Sequence, residues 1–270
     1  MGSFLPTPYS LLPTPYSLLP IPYSLLFMYT GHQMLSGISA VAFDLDGTLY
    51  PNYRLNLRLL PFLLRHCKFM LAFGRARDII RREQEAQAEL AAQTASTVQP
   101  PSGIDFYDRQ AQLVAEQIKA QKEEIRERID RLIYRGWESF FLKIKPFPHV
   151  KEVLGELKAA GLKLGLLSDF PPETKLEYLG LSSFWDTVLC TESIGALKPA
   201  VKPFEELAKA LACPAEKILY VGNSRRYDVG GAKRAGLKAA LLNIGLPVIS
   251  GVKADFTFRS YRQLRNFMLQ

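Results

Sequence analysis

Short apolar runs alternate with amphipathic stretches along the second half of this chain. Runs near 38–43, 162–167, 187–190, 217–221 and 239–243 are too short and too uniformly apolar for surface helices, so they predict buried strands. Segments near 148–160, 172–179, 203–212 and 228–235 carry apolar residues at helical spacing and fall between those strands. That alternation predicts a parallel sheet covered on both faces, and 254–258 allows a last strand before a terminal helix. From about 51 to 145 the pattern changes, and long helical periodicity replaces the strands. Helices are expected over 54–73, with Pro61 able to end or kink the first turn, and over 78–92 as an exposed, charge-rich helix. One or two more are expected over 108–141, with Leu113, Val114, Ile118, Ile125, Ile129, Leu132 and Ile133 on one face. Residues 94–103, ending in Pro100-Pro101-Ser102-Gly103, read as a linker.

The first 26 residues differ in kind. Leu5-Pro-Thr-Pro-Tyr-Ser-Leu11 recurs at 12–18 and, with one change, at 19–25. A seven-base DNA unit such as CTCCCTA, read through its three frames, encodes this peptide, so a translated tandem repeat is expected, with Met28 or Met34 as the working start. Dense proline opposes a helix and favours extended, solvated chain, and a proline-rich partner site is the functional alternative. The stretch lacks the basic start and unbroken apolar core of a signal peptide.

Composition narrows the classes. With 48% apolar and 22% charged residues the chain reads as an ordinary globular protein, and no apolar run reaches membrane-spanning length without charge or proline. Cys67, Cys190 and Cys213 show no paired spacing, which points to neither a disulfide framework nor a zinc site and makes a reducing cytoplasm the expected location. The net charge of +8 favours anionic ligands, phosphorylated metabolites or a nucleic acid surface.

Candidate chemistry begins where the first strand ends. In Val41-Ala-Phe-Asp-Leu-Asp-Gly-Thr-Leu49 two carboxylates, Asp44 and Asp46, sit one residue apart at the carboxyl end of a strand, where open α/β sheets bind ligands. Two anions so close require a cation or strong donors between them, and magnesium is the natural cation for oxygen ligands. A plain acidic turn is the alternative.

Three later segments share the arrangement. Residues 162–169 form an apolar strand ending in Ser168-Asp169; 195–204 read Gly-Ala-Leu-Lys-Pro-Ala-Val-Lys-Pro-Phe; and 218–228 run from an apolar strand through Gly222-Asn223 to Asp228, followed by Gly231, Ala232, Ala235 and Gly236. In this order the four segments resemble the motifs of the haloacid dehalogenase-like superfamily, in its phosphoglycolate phosphatase-like and nucleotidase-like group. The resemblance implies a three-layer Rossmann-like α/β core over 36–50 and 146–270, a helical cap inserted at 51–145, and a disordered tail over 1–35. It also implies magnesium-dependent hydrolysis of a small phosphorylated metabolite. Asp44 would be the nucleophile that forms an aspartyl-phosphate, and Asp46 the general acid and then base. Lys198 and Ser168 would be catalytic; Thr48, Ser168, Asp169 and Lys198 would contact substrate; and Asp44, Asp46, Asn223 and Asp228 would hold magnesium. Within the third segment the family's spacing, glycine three residues before the lysine and phenylalanine six after, is met at Gly195 and Phe204 for Lys198 and not for Lys202, which reads as a solvated helix-start residue.

Several positions stay open on residues alone. Ser168 or Asp169 could instead cap the next helix, and Asn223, where most of the family has aspartate, could cap a helix beginning near Tyr227. The insert carries 17 Lys or Arg against 12 Asp or Glu, and Arg54, Arg58, Arg65, Arg75 and Arg77 read as solvated helix charges rather than substrate clamps. Tyr50 and Tyr53 could line a pocket or pack a hinge, and His66 and His149 are isolated. Asp46 argues against dehalogenase and phosphonate chemistry. A phosphomutase and a non-catalytic binding protein on the same fold remain alternatives to the hydrolase. A nucleic acid partner and a membrane are not expected, and oligomeric state is not legible.

Overall fold

The computed structural model describes residues 37–94, 105–245 and 251–269. The repeat tail, and the linker beyond Thr94, lie outside the described residues. Six strands, β1 (Ala40–Phe43), β2 (Lys163–Ser168), β3 (Thr187–Cys190), β4 (Ile218–Gly222), β5 (Lys238–Leu242) and β6 (Phe256–Phe258), form one parallel sheet in the order β3-β2-β1-β4-β5-β6. Each expected strand is present within a residue or two of its predicted ends.

Alternation along β1 decides which layer each residue serves, because strand side chains point to opposite faces in turn. Val41 and Phe43 face helices α6 (Val150–Ala159) and α11 (Tyr261–Leu269), burying Val153, Leu157, Tyr261 and Leu264. Ala40 and Ala42 face α9 (Lys202–Ala210) and α10 (Gly230–Arg234), against Phe204, Leu207 and Ala232. The sheet is therefore covered on both sides, in three layers.

The strand order fixes where ligands bind. From β1 the chain moves outward through β2 and β3, then returns to the other side of β1 as β4. Such a reversal leaves a crevice beyond the carboxyl ends of the central strands. Phe43 lies opposite both Leu166 and Val221, so the segments after β1, β2 and β4 emerge together there.

The described residues between 52 and 94 and between 105 and 141 form a helical layer: α1 (Asn52–Arg65), α2 (Cys67–Thr94), α3 (Phe106–Ile118), α4 (Lys122–Ile129), a π-type turn over Asp130–Tyr134 and the short α5 (Glu138–Phe141). Pro61 neither ends nor splits α1; Leu55 and Leu59 are buried, and the break comes at His66. A separate apolar cluster joins Phe69, Phe73 and Ile80 of α2 to Leu113, Val114, Ile125, Ile129 and Ile133. The expected exposed helix over 78–92 is half right, since Ile80 is buried and Arg81 and Gln84 reach the core loops.

Candidate active site

The Asp44 carboxylate lies just past β1, 6% exposed. Its backbone N–H still donates to Val221 at 2.9 Å, so the last sheet hydrogen bond fixes its origin. Thr48 Oγ1 donates to Asp44 Oδ2 at 2.7 Å, and Lys198 Nζ donates to Asp44 Oδ1 at 2.7 Å. The same ammonium donates to Asp228 Oδ1 at 2.8 Å and contacts the Tyr220 hydroxyl at 3.2 Å. Residues 154 positions apart thus meet in one buried ion triad, with Lys198 only 3% exposed.

The turn after β1 needs its glycine. Gly47 has φ +88°, and a Cβ there would lie 2.2 Å from Asn223 Nδ2, so a side chain would both strain the backbone and push Asn223 away. Tyr261 Oη donates to the Thr48 carbonyl at 2.7 Å and ties the turn to α11. Asp46 has partners that spacing did not suggest. Lys175, on α7 (Glu173–Leu179), donates to Asp46 Oδ1 and Oδ2, both at 2.7 Å, and Tyr50 Oη donates to Oδ1. Tyr50 is fully buried while Tyr53 is 59% exposed, so only Tyr50 belongs to the site.

After β4, Asp228 folds back over the strand end. Its Oδ2 accepts from the backbone N–H groups of Asn223 at 3.1 Å and Ser224 at 2.9 Å. A Cβ on Gly222 would come within 2.3 Å of Asp228, which explains glycine there. Ser224, not Asn223, caps the following turn, its Oγ accepting from Tyr227 N at 3.1 Å. Asn223 is exposed, and its Nδ2 stands 3.5 Å from the Asp46 carbonyl.

Ser168 ends β2 fully buried, its Oγ accepting from Phe170 N at 3.2 Å. Neither Ser168 nor Asp169 caps α7, which begins after Pro172 without a side-chain cap. The expectation that Asp169 contacts substrate meets a different geometry. Its Oδ1 accepts from Thr191 Oγ1 at 2.9 Å and Lys198 N at 3.3 Å, and its Oδ2 pairs with Arg81 at 3.0 Å. The carboxylate is engaged as a strut between the loops after β2 and β3.

Arg77 also departs from its reading as a solvated charge. It is 4% exposed, pairs with the buried Glu192, donates to the Asp169 carbonyl at 3.1 Å and stacks 4.2 Å above the Phe170 ring. Arg81 donates through Nε to the Lys198 carbonyl at 3.0 Å, and Gln84 exchanges hydrogen bonds with Gly195 O and Leu197 N. Arg54, Arg58, Arg65 and Arg75 are exposed, as expected. The one legible trace of the α2 contacts is the stripe Phe73, Arg77, Ile80, Arg81 and Gln84 at helical spacing. Lys202 is exposed at the start of α9, as read. His66 packs against Phe62 within its own helical segment, and His149 pairs with Glu152 at 2.8 Å.

Burial drives the electrostatics of the triad. It pushes the Asp44 carboxyl up; Lys198 pulls it back, Asp228 and Asp46 push it up again, and the balance is about 7. For Lys198, burial opposes the charged form, but Asp228 and Asp44 outweigh it and hold the ammonium well above its ordinary range. Burial likewise opposes the Asp169 charge, yet Lys198, Arg77 and Arg81 keep that carboxyl below its ordinary value. Around Asp44 there is thus more acid than the resident cation neutralises.

The oxygens able to hold a divalent ion are the Asp44 carboxylate, the Asp46 carbonyl and the Asn223 amide, whose oxygen a half-turn of the side chain would present toward that carbonyl. Asp44 has one protein donor on each oxygen, whereas Asp46 and Asp228, also expected as ligands, each take three donor contacts on their carboxylates and so have less room for an ion. Among the described residues no three His, Cys, Asp or Glu side chains form a metal-holding group. Hard oxygen donors with few carboxylates fit magnesium, which keeps waters and takes substrate oxygens.

Comparison with known proteins agrees with the fold and with the family resemblance. A family model described as haloacid dehalogenase-like hydrolase matches residues 38–236. The chain is 29% identical over 140 residues to a glyceraldehyde 3-phosphate phosphatase of Methanothermobacter thermautotrophicus, a match covering 51% of this chain and 61% of that protein, less than two thirds of its length. It is 30% identical over 227 residues to a phosphoglycolate phosphatase of Salmonella choleraesuis, covering 78% of this chain and 83% of that one. The crystal structure of a HAD phosphatase from Thermococcus onnurineus superposes with a TM-score of 0.56 at 24% identity, over 86% of this chain and 98% of that one.

Proposed function

The chain belongs to the haloacid dehalogenase-like hydrolase family, and from that premise we propose that it is a magnesium-dependent phosphatase that cleaves a small phosphomonoester through an aspartyl-phosphate. The observation that carries this reading is the buried Lys198 ammonium shared between Asp44 and Asp228 at the reversal point of the sheet. A nucleophilic carboxylate needs a cation at hand, because its target phosphate is itself anionic. The relatives named for phosphoglycolate and glyceraldehyde 3-phosphate support a small phosphorylated substrate.

In this reading one Asp44 oxygen attacks phosphorus while the bond to the ester oxygen breaks. That oxygen leaves with the bonding electrons and takes the proton held by Asp46. Asp46 then accepts a proton from the water that attacks the aspartyl-phosphate; the bond from phosphorus to Asp44 breaks, releasing phosphate and restoring the carboxylate. Lys198 neutralises charge at the reacting oxygens, and Asp228 orients Lys198. Thr48 and Ser168 supply hydroxyl donors to Asp44 and to the phosphoryl group. Asp44, the Asp46 carbonyl and Asn223 would hold magnesium, which supplies further charge neutralisation when bound. Residues 51–145 act as the cap that excludes water, with Arg77 and Arg81 fastening it to the loops that carry Asp169 and Lys198. The reading includes a cytoplasmic location, supported by three free thiols, Cys67, Cys190 and Cys213.

The test is release of inorganic phosphate from a panel of short phosphomonoesters, with magnesium and with chelator, by the wild type and Asp44→Asn. Hydrolysis should require magnesium, and the variant should lose at least about a thousandfold in kcat, since losing a nucleophile removes the covalent route. Undiminished activity in Asp44→Asn removes the proposed nucleophile.

A further inference from the structure

Beside Asp46 lies a cavity of about 50 Å³ whose walls include Tyr134, Trp137, Phe141, Phe170, Thr174 and Lys175. A water needs roughly 10–15 Å³ of such space, so the cavity takes about three to five non-hydrogen atoms. That suits the remainder of a two- or three-carbon alcohol and is too small for a nucleoside.

Its polar lining is rich in donors. Lys175 is 9% exposed, and its Nζ sits 5.4 Å and 5.3 Å from the Phe141 and Phe170 ring centres, in surroundings poor in water. An ammonium has three N–H donors. Among the described residues the acceptors hydrogen-bonded to Lys175 Nζ are the two oxygens of Asp46, which leaves one donor over. Trp137 adds a buried indole N–H that has no hydrogen-bond partner. Buried donors without acceptors are costly, so a ligand that fits this cavity brings acceptor oxygens.

The protein already shows how a second anion is accommodated. Lys198, also buried, spans two carboxylates at 2.7 Å and 2.8 Å. Lys175 has one carboxylate partner and also lines the cavity. Building on the phosphatase reading above, we infer that Lys175 is a specificity residue that selects phosphomonoesters whose short leaving alcohol carries a carboxylate, with the substrate carboxylate taking the position that a second acidic side chain takes at Lys198.

The experiment compares kcat/KM for phosphoglycolate and for 2-hydroxyethyl phosphate, an uncharged analogue of similar size, in the magnesium-loaded wild type, Lys175→Gln and Lys175→Arg. The wild type should prefer the carboxylate ester by about tenfold to a hundredfold, the range of a hydrogen bond to a charged group. Lys175→Gln should bring that ratio below about threefold, and Lys175→Arg should retain most of it. A wild type without preference overturns the inference, and does so even if Lys175→Gln fails to fold. Equal losses on both esters in Lys175→Gln overturn it as well, since they would mean that Lys175 only holds Asp46. Hydrolysis of the uncharged ester with no carboxylate preference leaves the phosphatase reading standing, whereas no phosphate release from any ester removes both.

Discussion

Replacing Lys198 by methionine tests the electrostatic core of the site, because the side-chain volume is nearly kept while the charge is lost. Nζ lies 2.7 Å from Asp44 and 2.8 Å from Asp228, so at an effective dielectric constant of about 20 each contact is worth roughly 6 kcal/mol before desolvation. Desolvating three buried charges offsets much of that. Removing one partner of a buried ion pair nevertheless costs about 3–5 kcal/mol, because the charges left behind have neither water nor a counter-ion. The cost should depend on pH. Lys198 is held well above its ordinary range and stays charged through neutrality, whereas Asp44 already titrates at about 7 with the ammonium in place. Without the ammonium, Asp44 moves higher still. At pH 5.5 the folded variant then holds a proton that the unfolded chain releases, so its stability rises as pH falls. Urea unfolding of chelator-treated protein, followed by circular dichroism, should show a loss of about 3–5 kcal/mol at pH 8 and a clearly smaller one at pH 5.5. Adding Asp228→Asn to the variant should restore part of the stability and none of the activity. A cost below about 1 kcal/mol at pH 8, the size of an exposed pair, or an equal cost at both pH values, refutes the claim that Lys198 neutralises two buried carboxylates.

Two further outcomes test the clamp and the cation. Arg77→Met should destabilise the protein by about 3–5 kcal/mol in urea unfolding, since it leaves the 1% exposed Glu192 without its counter-ion; a companion Glu192→Gln should recover a large part, and full stability of the single variant would make the pair dispensable. Asn223→Asp should lower the magnesium concentration giving half-maximal phosphate release, because a carboxylate adds charge where an amide brings none; an unchanged requirement removes Asn223 from the ligand set.

Much of the core was legible because its signals are local. The run before Asp44 can hardly be anything but a strand: it is too short for a helix, apolar on both faces and bounded by Gly37 and Gly47. The helical layer was legible as helix but not in its breaks. Pro61 looked like a terminator, yet α1 runs through it, since the burial of Leu55 and Leu59 helps offset one lost backbone hydrogen bond. The change of periodicity near residues 51 and 145 marked off the helical layer, and its reading as a cap came from the family resemblance.

The site divides along the same line. Asp44, Asp46, Ser168, Lys198 and Asp228 were named through the motifs of the family that the chain resembles, each at a strand end or a set distance from a glycine, and the structure brings Asp44, Lys198 and Asp228 into contact. What Asp228 and Asp169 touch was not encoded that way. A carboxylate reads the same whether it waits for a metal or is already filled by backbone N–H groups and arginines, and only the fold brings Arg81 to Asp169 across 88 positions. Lys175 shows the limit most sharply. It lies 129 residues from Asp46, on a helix with no motif of its own, and looks like any charge in Glu173–Leu179. Its burial between two aromatic rings, one from the helical layer and one from the loop after β2, separates it from a surface lysine. A water-poor ammonium holds a second carboxylate more firmly than a solvated one, because nearby water would otherwise compete for the same N–H donors. Opening those walls by Phe141→Ala should therefore weaken selection for a carboxylate even with Lys175 intact, which separates the contribution of the charge from that of its surroundings.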